Sequence, residues 1–157
     1  MQGAELEYLH GRLCIPQWRD FLHAQAEEFR AHLSTAELRG LMNRVGLRFA
    51  ALHPLGPCAS IADLRDAMNA VWKPLDWGLV ELDDQDSAAL AIQHFCSPLS
   101  AAFGQAHLDW TPAFLEGVYQ GWMSAAGAGD ALRVRLQQAD PGTGSLRFVF
   151  SKQGGTA

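Results

Sequence analysis

Leu132-Arg133-Val134-Arg135-Leu136-Gln137, then Asp140-Pro141-Gly142-Thr143-Gly144, then Leu146-Arg147-Phe148-Val149-Phe150 together spell a β-hairpin. Apolar and polar side chains alternate on both arms, the period of a strand with one buried face. The turn between them supplies a proline and two glycines, residues suited to reversing the chain. Upstream, Gly78 to Asp83 and Ala88 to Cys96 have the same period and are joined across Asp83-Asp84-Gln85-Asp86-Ser87. In the second of these arms Leu90, Ile92 and His94 share one face. Two hairpins predict an antiparallel sheet that needs helices over its apolar side.

Helical spacing accounts for most of the rest. Pro16 opens a helix to about residue 33, with Trp18, Phe21, Leu22, Phe29 and Leu33 on one stripe. Ser34-Thr35-Ala36-Glu37 is a capping-box pattern, and Leu38, Leu41, Met42, Val45, Phe49 and Leu52 form the expected inner face of the helix after it. His53-Pro54-Leu55-Gly56-Pro57 stops that helix. Ser60 caps a third, carrying Ile61, Leu64, Met68, Val71 and Trp72 inward. Residues 110 to 126 return to helical spacing between the hairpins, with Asp109 as a suitable cap and Pro112 suited to the first turn. The prediction is one α+β domain over 1–157: N-terminal helices, then two β-hairpins in one antiparallel sheet with a helix between them. Residues 1–14 read as an arm and 153–157 as a loose tail.

Composition sets bounds on function. Of 157 residues, 48% are hydrophobic and 18% charged, enough apolar surface for a full core. The formal net charge of −5 gives no electrostatic footprint for nucleic acid. No basic region followed by an apolar run marks the start as a signal peptide, and no stretch approaches the roughly 20 apolar residues of a membrane span. A cytoplasmic protein is expected. Cys14, Cys58 and Cys96 are odd in number and widely spaced, which predicts buried or half-buried thiols rather than disulfides or a zinc site.

Catalytic patterns are not found. His10, His23, His32, His53, His94 and His107 are scattered without metal-ligand spacing, so no metal and no cofactor are expected. There is no nucleophile elbow and no phosphate-binding loop. Asp83, Asp84 and Asp86 lack the spaced ligands of a calcium loop and read as a solvated turn. His94 reads as a half-buried histidine with a hydrogen-bond partner. Arg133, Arg135 and Arg147 fall on the outward face of the last hairpin and repel unless carboxylates or a partner intervene.

The helix over Trp110–Trp122 is unusual. Phe114, Leu115, Val118, Tyr119 and Trp122 make a broad apolar surface, while Ala113, Gly117 and Gly121 form a second strip of small residues. Two interior glycines cost about 2 kcal/mol of helix propensity relative to alanine. Close approach of another backbone offsets that, either from the same chain or from a second copy. Ala113, Gly117, Gly121, Tyr119 and Trp122 are therefore the packing or interface candidates.

The second half resembles the D-subunit family of bacterial cellulose synthases. The residues that carry the likeness are Trp77-Gly78-x-Val80-x-Leu82, then Ile92-x-His94 with Pro98 after it, then Trp110 followed by Leu115-Glu116-Gly117-x-Tyr119-x-x-Trp122. The resemblance implies a non-catalytic accessory subunit that forms a homo-octamer from dimers and assists glucan export and crystallisation. Its partners would be the catalytic and inner-membrane synthase subunits, a proline-rich accessory protein and β-glucan chains. In the family the N-terminal segment faces the glucan passages, which makes Glu5, Tyr8, His10 and Arg12 the passage candidates here. A different reading is a small-molecule-binding sensor similar to vinyl-reductase-related modules; it requires a pocket on which groups such as His94 and Tyr119 converge.

Overall fold

A computed structural model of the chain describes residues 3–84 and 86–152. Six α-helices and four strands follow one another as α1 (Gly3–Gly11), α2 (Pro16–His32), α3 (Thr35–Leu52), α4 (Ile61–Trp72), β1 (Leu79–Asp83), β2 (Ala89–Phe95), α5 (Leu99–Phe103), α6 (Ala113–Ala125), β3 (Leu132–Asp140) and β4 (Ser145–Lys152). The strands form one antiparallel sheet in the order β1-β2-β4-β3. The two hairpins thus meet along β2 and β4, as the α+β expectation required. The tail 153–157 and Gln85 of the acidic turn lie outside the described residues.

Local chemistry explains the helix boundaries. At α3 the Glu37 amide donates to the Ser34 hydroxyl at 3.2 Å, and the Ser34 amide donates to the Glu37 carboxylate at 2.8 Å. Hydrogen bonds from Ser34 to the carboxylate, the backbone amide first and the hydroxyl second, hold the Glu37 carboxyl below its ordinary range. The Ser60 hydroxyl receives the Asp63 amide at 3.0 Å and starts α4. Asp109 does not cap α6: its carboxylate forms a two-pronged pair with Arg30 of α2, both bonds 2.8 Å, and Pro112 occupies the cap position. A guanidinium in the correct plane outcompeted the helix terminus for that acid.

Alternation decides which sheet face is buried. Val80, Ile92, His94, Val134, Leu146, Phe148 and Phe150 point toward α6 and are buried. α3 then packs on the far side of α6, giving a sheet–helix–helix stack. A bulge between Leu136 and Gln138 shifts the register of β3 against β4 without interrupting the pairing.

Two apolar stripes are wider in sequence than in space. Trp18 and Phe21 of α2 are 50% and 56% exposed, and Leu52 at the end of α3 is 77% exposed. The buried line of α3 is Leu38, Met42, Gly46 and Ala50 instead, since small residues face α6 there. The arm is helical over Gly3–Gly11 and buries no residue. Cys96, expected to be at least half-buried, is exposed, whereas Cys14 is buried and Cys58 half-buried.

The free edge of β1 is covered by a side chain. Asn69 of α4 donates to the Val80 carbonyl at 2.9 Å and accepts from the Val80 amide at 2.8 Å. It reproduces both bonds a neighbouring strand would make. Asn69→Ala is expected to lower unfolding free energy by about 2 kcal/mol, because two buried backbone groups lose their partners. Urea titration measures it; an unchanged midpoint would show that water replaces the amide.

Candidate functional site

The centre of the molecule is an aromatic cluster built from four elements. The Trp72 indole packs edge-on to His94, Tyr119 and Trp122, with ring centroids 5.3, 6.0 and 5.2 Å away. Phe49 stacks on Trp72 at 5.5 Å with planes 11° apart. The offset and edge contacts place ring hydrogens over π-faces, as the ring quadrupole favours.

A one-way hydrogen-bond chain runs through this cluster. The Trp77 carbonyl can only accept, so His94 Nε2 carries the proton and donates to it at 2.6 Å. His94 Nδ1 is then the acceptor for the Tyr119 hydroxyl, also at 2.6 Å. The Tyr119 oxygen in turn accepts from Trp72 Nε1 at 3.1 Å. His94 and Tyr119 are both fully buried. Burial lowers the His94 pKa from 6.5 to about 4, although the bond to the Trp77 carbonyl works the other way. Burial also pushes the Tyr119 hydroxyl well above its ordinary value. The two residues named for a sensor pocket therefore do meet. They meet in a filled core, each already satisfied, and that arrangement holds β2, α4 and α6 together.

The small-residue strip faces α3 of the same chain. A Cβ on Gly117 would stand 2.1 Å from the Asn43 carbonyl oxygen, and one on Gly46 of α3 would stand 2.0 Å from that of Phe114. A Cβ on Gly121 would meet the Ala50 methyl at 2.7 Å. Ala113, Tyr119 and Trp122 are buried beside it. Gly46 carried no signal in isolation, because only the crossing of the two helices gives it a purpose. Glu116, also on α6, is buried and ion-paired to Arg39 of α3.

A second buried histidine ties α2 to the segment before α6. His107 takes the Trp110 indole proton on Nδ1 at 3.0 Å and presents Nε2 to Glu27 at 2.7 Å. Among the described residues, no three His, Cys, Asp or Glu side chains gather closely enough to hold a metal ion.

The N-terminal candidates divide. Glu5, Tyr8 and Arg12 lie exposed on one side of α1 and the residue after it. The Arg12 guanidinium stands 5.8 Å from the Tyr8 ring centre, and its Nη1 donates to the Tyr8 hydroxyl at 3.4 Å. His10 points the other way and lies against the β3–β4 turn: a Cβ on Gly144 would come within 2.8 Å of its ring. Beyond Arg12 the surface opens into a groove of about 570 Å³ whose walls include Leu13, Ile15, Trp18, Leu75, Trp77 and Cys96. Asp76 and Cys96 also line it, at φ of 55° and 58°, a backbone conformation unusual for side-chain-bearing residues. Sequence reading missed this groove, which is assembled from segments some 80 residues apart.

No helix among the described residues is long and apolar enough to cross a membrane. The model of the cellulose synthase D-subunit family matches residues 4–149. The chain is 27% identical over 111 residues to a protein named cellulose synthase operon protein D from Komagataeibacter xylinus, covering 70% of this chain and 71% of that one. A protein of the same name from Komagataeibacter sucrofermentans matches with the same identity and coverage. With a family match running from α1 through β4, this chain belongs to the D-subunit family of cellulose synthases.

Proposed function

We propose that this protein is a non-catalytic accessory subunit of a bacterial cellulose synthase complex. It acts in the cytoplasm, beside the inner-membrane synthase, as an oligomeric scaffold that guides β-glucan chains toward export and crystallisation. The observation that carries this reading is the family match across 4–149. A core whose buried polar groups are spent on joining elements agrees with it. His94 and Tyr119 are committed to each other inside the core, and the buried His107 ring is committed to Trp110 and Glu27.

The α1 surface is the part suited to sugar. Tyr8 offers an aromatic face to C–H groups, and Glu5 and Arg12 offer polar edges to hydroxyls. Arg12 also begins the groove that continues to Trp18, so a glucan following Tyr8 would meet a second exposed ring. His10, turned toward Gly144, supports the placement of α1 rather than sugar contact.

Deletion of residues 1–12 is expected to leave the oligomer mass unchanged while cellulose fibres lose order. Light scattering reads the first and electron microscopy of the fibres the second. Normal fibres from the truncated protein would remove the N-terminal segment from the glucan path. A monomer of the full chain at tens of micromolar would count against the scaffold itself.

A further inference from the structure

Two helix faces carry large apolar side chains with no other element of the chain over them. On α2, Gln17, Asp20, Phe21, Ala24, Glu28 and Ala31 share one side of the helix, and all six are exposed. On α3, Leu41, Arg44, Val45, Arg48 and Leu52 share another. Leu41 is half-buried and the other four are exposed, Val45 to 44% and Leu52 to 77%.

The unpaired charges on the two faces are opposite. Asp20 on α2 makes no hydrogen bond or ion pair among the described residues, and neither do Arg44 and Arg48 on α3. Other charged groups of the two helices are engaged within the chain. Glu28 is bonded to His32 one turn on at 2.8 Å, Glu27 to His107 at 2.7 Å, and Glu37 to the Ser34 cap. Arg30 and Arg39 are paired with Asp109 and Glu116, and Arg19 holds the Gly11 and Cys14 carbonyls. Arg44 and Arg48 stand one turn apart and repel each other, so an acid brought between them is favoured.

We infer that the α2 face of one copy packs on the α3 face of a second copy, with the two helices antiparallel. Ala24 opposite Val45 fixes the register, a small residue beneath a branched one. Asp20 lies about 6 Å toward the N-terminus of α2 from Ala24, and Arg48 about 4.5 Å toward the C-terminus of α3 from Val45. Antiparallel helices therefore bring Asp20 beside Arg48 and set Phe21 level with it, while Leu52 reaches the Gln17 end. Parallel helices would set Asp20 level with Leu41 instead. Pairing either face with itself would oppose Arg44 to Arg48, or Asp20 to Glu28, so the charges select the unlike faces. About a two-fold axis the contact occurs twice, each copy giving its α2 to the other's α3. The inference rests on the self-assembly reading above and names the surfaces that would serve it.

The test compares full-length wild type, Asp20→Arg, Arg48→Asp and the double variant, together with an equimolar mixture of the two single variants. Each sample is followed by light scattering across a dilution series, with thermal midpoints as a check on folding. Each single reversal opposes like charges at every contact and is expected to weaken association about tenfold or more. The double variant restores opposite charges and should recover to within about threefold of wild type. The mixture should recover as well. Where one single variant meets the other, one contact pairs the two reversed residues and the second pairs the two native ones. Neither a folding defect nor an interface elsewhere on the molecule produces rescue by mixing. Two single variants that associate like wild type would overturn the pairing of these faces while leaving self-assembly intact. A double variant or a mixture no better than the worse single would also overturn it. A response to Arg48→Asp alone would overturn it too, assigning the arginines to an acidic partner of another kind. A monomeric wild type would remove the self-assembly reading and this one together.

Discussion

Replacing Gly117 with alanine, a change that usually strengthens a helix, is expected to cost this protein more than about 3 kcal/mol of stability. The expectation follows from where the new methyl goes: it would stand 2.1 Å from the Asn43 carbonyl oxygen, a backbone atom that cannot move without displacing α3. Gly46→Ala should behave alike, because its Cβ would meet the Phe114 oxygen at 2.0 Å and the Val118 nitrogen at 2.8 Å. The two glycines form one crossing, each letting the other helix's backbone in. Their non-additivity is a second signature: once the helices have been forced apart by one methyl, the other adds little. Gly40→Ala is the control. It also lies within α3, but its Cβ would meet only the flexible end of Arg44 at 3.4 Å. That variant should gain about 0.5–1 kcal/mol from helix propensity and reduced freedom of the unfolded chain. Opposite signs at Gly40 and Gly117 in the same urea titration would establish the crossing. Gly117→Ala with a midpoint at or above wild type would refute it.

The second large effect is a dependence of stability on pH centred on His94. The ring is neutral in the folded protein because burial holds its pKa near 4, against 6.5 when the chain is unfolded and hydrated. Between those values the unfolded chain binds a proton that the folded one refuses, so stability is full above about pH 6.5 and declines as pH falls toward 4. At about 1.4 kcal/mol per pH unit the loss over that interval is roughly 3 kcal/mol. Below pH 4 this histidine adds no further loss. Urea midpoints at pH 7, 5.5 and 4.5 should therefore fall more steeply for wild type than for His94→Gln, which cannot titrate. Equal slopes would mean the ring is protonated in the fold. Tyr119→Phe should destabilise at every pH by about 2 kcal/mol, since it leaves the Trp72 indole proton and His94 Nδ1 without their partner.

Much of the architecture was readable because periodicity reports burial directly. The four strands announced themselves through alternation, and Ser34 and Ser60 marked helix starts by chemistry confined to four residues. Failures occurred where the deciding partner was distant in sequence. Trp18 and Phe21 look like core residues on a helical wheel, yet no other element covers them. Val45 and Leu52 were assigned inward although the crossing at Gly46 turns α3 so that small residues face α6. α1 buries nothing, so it left no periodic trace. Asp109 had the identity of a cap but stood within reach of Arg30, 79 residues away, and a salt-linked pair won over a helix end. His94 and Tyr119 were each identifiable as unusual. What could not be read was whether the space between them is empty, because that depends on Trp72, Trp77 and Phe148 arriving from three other segments.

The amide of Asn69 has a consequence for how such a protein can grow. Open sheets run on into fibrils by recruiting a fresh strand at an unprotected border, and the main-chain groups of Val80 are those such a recruit would need. With both already engaged, a recruit at that position would have to displace the Asn69 amide before it could add to the sheet.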